Sequence, residues 1–112
     1  MESRLIYESD KTYLNKIQWI IAKNNTESEW CYLNPKTLNE NHIEAIIISK
    51  LPGKKFYFVT NRKESLELNK AQLVSKIKSL YGKTEFKIWD ENFRNVIEFK
   101  LEIYREGTNA SR

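Results

Sequence analysis

The chain has 112 residues, is 40% hydrophobic and 30% charged, and carries a net charge of +4. That length holds one domain, and that balance belongs to a folded chain, which excludes a disordered one. No apolar run approaches the roughly 18 residues needed to cross a bilayer, and Met1 to Glu8 lacks the basic and apolar regions of a signal peptide. The single cysteine, Cys31, excludes an internal disulfide and fits a reducing, cytoplasmic compartment.

Leu5-Ile6-Tyr7 is expected as a short first strand. Ser9 or Asp10 can cap a helix from Lys11 to Lys23, because a side-chain oxygen there accepts from the open amides of the first turn. Tyr13, Leu14, Ile17, Ile20 and Ile21 then share one helical face, and Asn24-Asn25-Thr26 ends the helix. Trp30 to Leu33 is a possible short strand before the Asn34-Pro35 turn. From His42 to Lys50 the β-branched residues Ile43, Ile46, Ile47 and Ile48 favour a strand. Leu51-Pro52-Gly53-Lys54 is a turn, and Phe56 to Val59 is the next strand, so 43–59 is expected as a hairpin. Asn61 to Leu68 is a polar connection. Asn69 to Tyr81 places Leu73, Val74, Ile77, Leu80 and Tyr81 on a helix face, with Gly82 as its stop.

The clearest pattern runs from Lys83 to Tyr104. Phe86 and Ile88 alternate with Glu85, Lys87 and Trp89; after Asp90-Glu91-Asn92, Ile97, Phe99, Leu101 and Ile103 alternate with Glu98, Lys100, Glu102 and Tyr104. A period of two with charge at every other position predicts antiparallel strands with one buried and one wet face. The expected fold is α+β, one domain over 1–106 with a frayed tail at 107–112. It is an open two-layer sandwich: an antiparallel sheet of four to five strands with two helices on one face, in the order β-α-β-β-α-β-β. The other face would then show Tyr57, Glu85, Lys87, Trp89, Glu98, Lys100, Glu102 and Tyr104.

Charge is uneven. Residues 50–87 hold ten basic and three acidic groups, while the flanking stretches are weakly acidic. A basic centre can attract an anionic partner. Within it, Lys54-Lys55-Phe56-Tyr57-Phe58-Val59 partly resembles the first ribonucleoprotein motif of RNA-recognition domains. The basic start, Phe56, Phe58 and Val59 agree; Lys55, Tyr57 and Asn61 depart from it. Lys50, Lys54, Lys55, Arg62 and Lys63 are the candidate phosphate contacts, with Tyr57 able to stack on a base.

Catalytic signatures are sparse. His42 is the one histidine, no Cys/His cluster exists to hold zinc, and three glycines form no phosphate-cradling loop. Asp90, Glu98 and Lys100 match the acid and Glu-x-Lys of metal-dependent nucleases only loosely, and strand alternation explains the same letters. No enzyme activity and no cofactor are expected. Lys (14), Asn (11) and Ile (12) are abundant against Ala (4) and Gly (3), the coding bias of an AT-rich or accessory genome. Trp19, between Lys16 and Lys23 on the polar side of the expected helix, is a candidate contact anchor. The reading is a small non-catalytic protein that binds and blocks a protein partner, such as an immunity protein of a toxin system or a phage-type inhibitor. Its expected partner-binding residues are Trp19, Tyr57, Trp89, Lys100, Glu102 and Tyr104. The alternative is a module for RNA or single-stranded DNA.

Overall fold

The computed structural model describes residues 1–21 and 28–109. In chain order these form α1 (Ser3–Leu14), β1 (Ile17–Trp19), β2 (Cys31–Tyr32), α2 (Glu40–Lys50), β3 (Lys55–Val59), β4 (Leu66–Asn69), α3 (Lys70–Leu80), β5 (Phe86–Asp90), β6 (Asn95–Phe99) and β7 (Ile103–Asn109). The fold is α+β. The strands make one antiparallel sheet in the order β1-β7-β6-β5-β3-β4, with β2 also on β7.

The sheet's alternation sorts its side chains. Phe56, Phe58, Phe86, Ile88, Ile97 and Phe99 lie on one face, where Ile43, Ile46, Ile47, Leu73, Val74 and Ile77 of α2 and α3 cover them. Two helices over an apolar sheet face were expected, but not this pair: α3 answers to the helix expected over 69–81, while α2 comes from residues expected as a strand. Asn39 caps α2 by accepting from the His42 amide, and Asn69 and Gln72 form a reciprocal capping box on α3. Gly82, at φ +86°, ends α3 as its lack of a Cβ allows, and a Cβ there would meet Pro35 at 2.9 Å.

The opposite face holds Tyr57, Val59, Trp89 and Val96, packed with Ile6 and Phe93. Here the structure departs from expectation, because a third helix, α1, covers this part of the sheet. Residues 5–7 belong to it and form no strand. Its inward stripe is Ile6, Tyr7, Asp10, Tyr13 and Leu14, a regular helical spacing that the charge of Asp10 masks. Ser3 Oγ ties the helix start to the β3–β4 turn, donating to the Arg62 carbonyl at 2.7 Å and accepting from the Ser65 amide at 2.8 Å. Toward β7 no helix of the described residues covers the face.

Other expectations are corrected too. Residues 43–50 are helical, so 43–59 is no hairpin: Ile43, Ile46, Ile47 and Leu51 point into the core at helical spacing, while Ile48 is exposed. Burial and a cap outweigh β-branching there. The expected helix over 11–23 ends at Leu14, and Ile17–Trp19 joins the sheet; residues 22–26 of that reading lie outside the described residues. The polar connection contains β4. The sheet has seven strands and the fold three helices among the described residues.

The last strand was expected to run through residue 104. Instead the chain turns at 100–102, with the Lys100 amide donating to the Ile103 carbonyl at 2.8 Å. The turn puts Tyr104 opposite Phe99, on the same face as the core, and β7 continues through Asn109. The domain therefore includes 107–109, which the reading of a tail at 107–112 had left out; 110–112 lie outside the described residues.

Candidate functional site

The six residues expected to meet a partner divide evenly. Tyr57 is 5% exposed and stacks on Phe93 at 4.8 Å, and Trp89 is fully buried beneath α1. Burial pushes the Tyr57 hydroxyl above its usual ionisation range, with the nearby Glu67 charge adding to it. Tyr104 is half-buried, stacks on Phe99 at 5.8 Å and hydrogen-bonds the Cys31 thiol; burial and that bond push its hydroxyl up. In this arrangement Tyr57 and Trp89 are not offered to solvent, and Tyr104 packs on the helix-covered face. Trp19, Lys100 and Glu102 do reach the surface.

Trp19 and Lys100 belong to a ladder that sequence reading missed. The antiparallel register sets Glu98 beside Arg105 on the face that α1 leaves uncovered. Arg105 Nε and Nη2 each lie 2.7 Å from Glu98 Oε1, and Nη1 donates to Glu29 Oε1 at 2.8 Å. The guanidinium is centred 3.6 Å from the Trp19 ring and 4.5 Å from the Trp30 ring, and Lys100 Nζ lies 5.3 Å from Trp30. Cations and indoles thus alternate as Trp19, Arg105, Trp30 and Lys100. Each such stack contributes about 0.5–2 kcal/mol, more as water is excluded. Gly107, paired with Trp19, leaves room for it: a Cβ at Gly107 would lie 2.9 Å from Trp19 Cε3.

The ladder runs into the β6–β7 turn. Lys100, Leu101, Glu102 and Ile103, with Gly82 and Glu85, line an open groove of about 540 Å³. Lys100 Nζ sits 3.7 Å from Glu85 Oε1, an exposed pair of little energetic weight. Beside the groove, Tyr32 is 61% exposed and Leu101 52% exposed. Tyr32 is placed there by its pairing with Ile103, and the Leu33 amide donates to the Glu102 carbonyl at 2.8 Å. This end of the sheet therefore displays Trp30, Tyr32, Lys100, Leu101 and Glu102 together. Trp30 and Tyr32 had been read only as a possible strand; their clustering is set by pairings that no local pattern reveals.

The basic candidates are not brought together. Lys54 and Lys55 stand at one end of β3 and Arg62 and Lys63 at the other, about 13 Å of strand apart. Lys50, at the end of α2, is half-buried; burial lowers its pKa, opposed by the nearby Glu106 and Asp90 charges. Asp90 is itself buried and accepts from the Arg94 amide at 2.8 Å and from Asn95 Nδ2 at 2.8 Å, closing the β5–β6 turn. It lies on the opposite face from Glu98, so Asp90, Glu98 and Lys100 form no common site. His42 is exposed on α2. Among the described residues no group of three or more His, Cys, Asp and Glu side chains is placed to hold a metal ion, and no helix is long and apolar enough to cross a membrane.

No protein-family model matches the chain, and neither a curated protein nor a solved structure matches it.

Proposed function

We propose that this protein is a small non-catalytic binder that acts by covering a functional surface of a protein partner, as an immunity protein or phage-type inhibitor does. The carrying observation is the end of the sheet where exposed Tyr32 and Leu101 stand beside Trp30, Lys100 and Glu102. Aromatic and arginine side chains held by neighbours dominate binding energy at protein interfaces, and the stacked ladder fixes them before a partner arrives. A charged rim around an apolar centre suits a soluble partner. The single cysteine agrees with action in the cytoplasm.

Affinity purification from the source cells tests this, with the wild type, Tyr32→Ala, Leu101→Asp and the distant Ile48→Asp as baits. The reading requires a protein retained by the wild type and by Ile48→Asp but lost with both of the others. Equal capture by all four baits refutes it. A gel-shift titration with single-stranded RNA at low salt separates the nucleic-acid alternative, whose affinity would fall steeply as salt rises.

A further inference from the structure

We propose that Trp19, Trp30, Glu29 and Glu98 form a binding site for a guanidinium-type cation, filled in the folded chain by its own Arg105, and that filling it fastens residues 28–33 to the sheet. The site has the two things a planar cation needs. Two indole faces enclose it, at 3.6 and 4.5 Å from the guanidinium carbon, and two carboxylates receive its edge, at 2.7 and 2.8 Å. A lysine ammonium, a point charge without a planar fork, could not reach both carboxylates while lying flat between the two rings. Two carboxylates face one guanidinium, so removing Arg105 takes from Glu29 and Glu98 the cation they share. The Arg105 side chain is 21% exposed, so a small cation can enter from water once that side chain is removed.

What depends on the site is the seating of residues 28–33. Their direct hold on the sheet is short: β2 pairs with only Tyr104 and Ile103, and the Leu33 amide reaches the Glu102 carbonyl. A two-residue strand is a weak attachment. At its far end the segment is held by buried Leu33, whose carbonyl accepts from the Tyr81 hydroxyl at 2.8 Å; at its near end Glu29 pairs with Arg105, and Trp30 stacks on Arg105 and, more distantly, on Lys100. The guanidinium thus joins the 28–33 segment to β1 through Trp19 and to β6 through Glu98. The inference stands apart from the identity of any partner, since it concerns how Trp30 and Tyr32 are held.

Cys31, the chain's single cysteine, lies in this segment and reports on it. In Arg105→Ala, labelling of Cys31 by Ellman's reagent should be at least tenfold faster than in the wild type. Ethylguanidinium chloride at about 10 mM, far below denaturing concentrations, should slow it again in a saturable way and shift the tryptophan emission of the variant. Equimolar sodium chloride should do neither, and the wild type should not respond. Labelling of Arg105→Ala at the wild-type rate, or slowing by sodium chloride as strong as by ethylguanidinium, overturns the proposal. Should Arg105→Ala not fold, Glu29→Gln is read in the same assay. At least threefold faster labelling with an unchanged urea midpoint supports the fastening role, and an unchanged labelling rate overturns it.

Discussion

Asp10 anchors the helix that the sequence concealed. It is 3% exposed in the middle of α1, accepts from Trp89 Nε1 at 2.8 Å and lies 3.2 Å from Lys87 Nζ. Asp10→Ala leaves a fully buried indole N–H without an acceptor. Losing a hydrogen bond to a charged group, with its buried partner stranded, costs about 1.5–3 kcal/mol. The lost ion pair adds less, about 0.5–1 kcal/mol, because Lys87 is partly exposed and keeps Glu98 opposite it in the register. Alanine's better helix propensity returns about 0.5 kcal/mol. The expected loss is therefore roughly 2–3 kcal/mol, a drop in melting temperature of about 8–12 °C for a domain of this size. Asp10→Asn keeps a carbonyl acceptor for Trp89 and loses only the charge, so about 1 kcal/mol is expected. Urea unfolding followed by tryptophan emission measures both. Equal losses in the two variants would refute the primacy of the Trp89 bond, and a loss under 0.5 kcal/mol in Asp10→Ala would refute the anchoring role altogether.

Phe93 holds φ at +53°, a conformation costly for any residue with a Cβ, while its ring stacks on Tyr57 and Tyr13. Phe93→Ala should cost about 3–5 kcal/mol by lost packing, and Phe93→Gly about 1 kcal/mol less by relief of the backbone; chemical denaturation showing glycine to be the worse substitution would count against this. Alkaline stability follows from the tyrosines. Tyr81 and Tyr104 are held protonated by burial, so both ionise higher in the folded chain than the usual value near 10. Between that value and their folded ones, unfolding releases their protons and stability falls as pH rises, with a slope approaching about 2.7 kcal/mol per pH unit for the pair. Lys50 acts with the opposite sign, because its lowered pKa adds stability as pH rises through it toward 10.5. Tyr57, raised in the same direction, adds to the fall. Urea midpoints at pH 9.5, 10.5 and 11.5 test this; Tyr81→Phe, which also loses its bond to the Leu33 carbonyl, should make the slope shallower by up to about 1.4 kcal/mol per pH unit, and an unaltered slope would contradict the assignment.

Legibility varied from element to element for physical reasons. The alternation of Phe86, Ile88, Ile97 and Phe99 was readable because each strand has one apolar neighbour layer, and residues two apart must share its fate. The stripe of α3 was readable because no polar residue interrupts Leu73, Val74 and Ile77. In α1 the stripe was hidden by Asp10, a charge whose partners lie 77 and 79 residues away in the chain. In α2 the isoleucines signalled a strand, and only their burial against Phe56 and Phe58 settles the helix. Of the expected contact residues, Trp19, Lys100 and Glu102 reach the surface, Trp19 from a strand and not from the expected helix; Tyr104 was put on the wrong side by a turn one pleat out of step, and the same error hid Arg105.

Sequence alone determined that the chain is α+β, that its last third pairs as antiparallel strands, and that Asn69 caps α3 and Gly82 follows its end, because each of these depends on residues close in the chain. Tertiary structure alone decided which faces meet water, since α1 covers Tyr57 and Trp89 from a distance no local pattern spans. It also decided that Trp19, Glu29, Trp30, Glu98 and Arg105 surround one charge. Four separate stretches of chain supply them, and only the register of β7 with β1, β2 and β6 brings those stretches together.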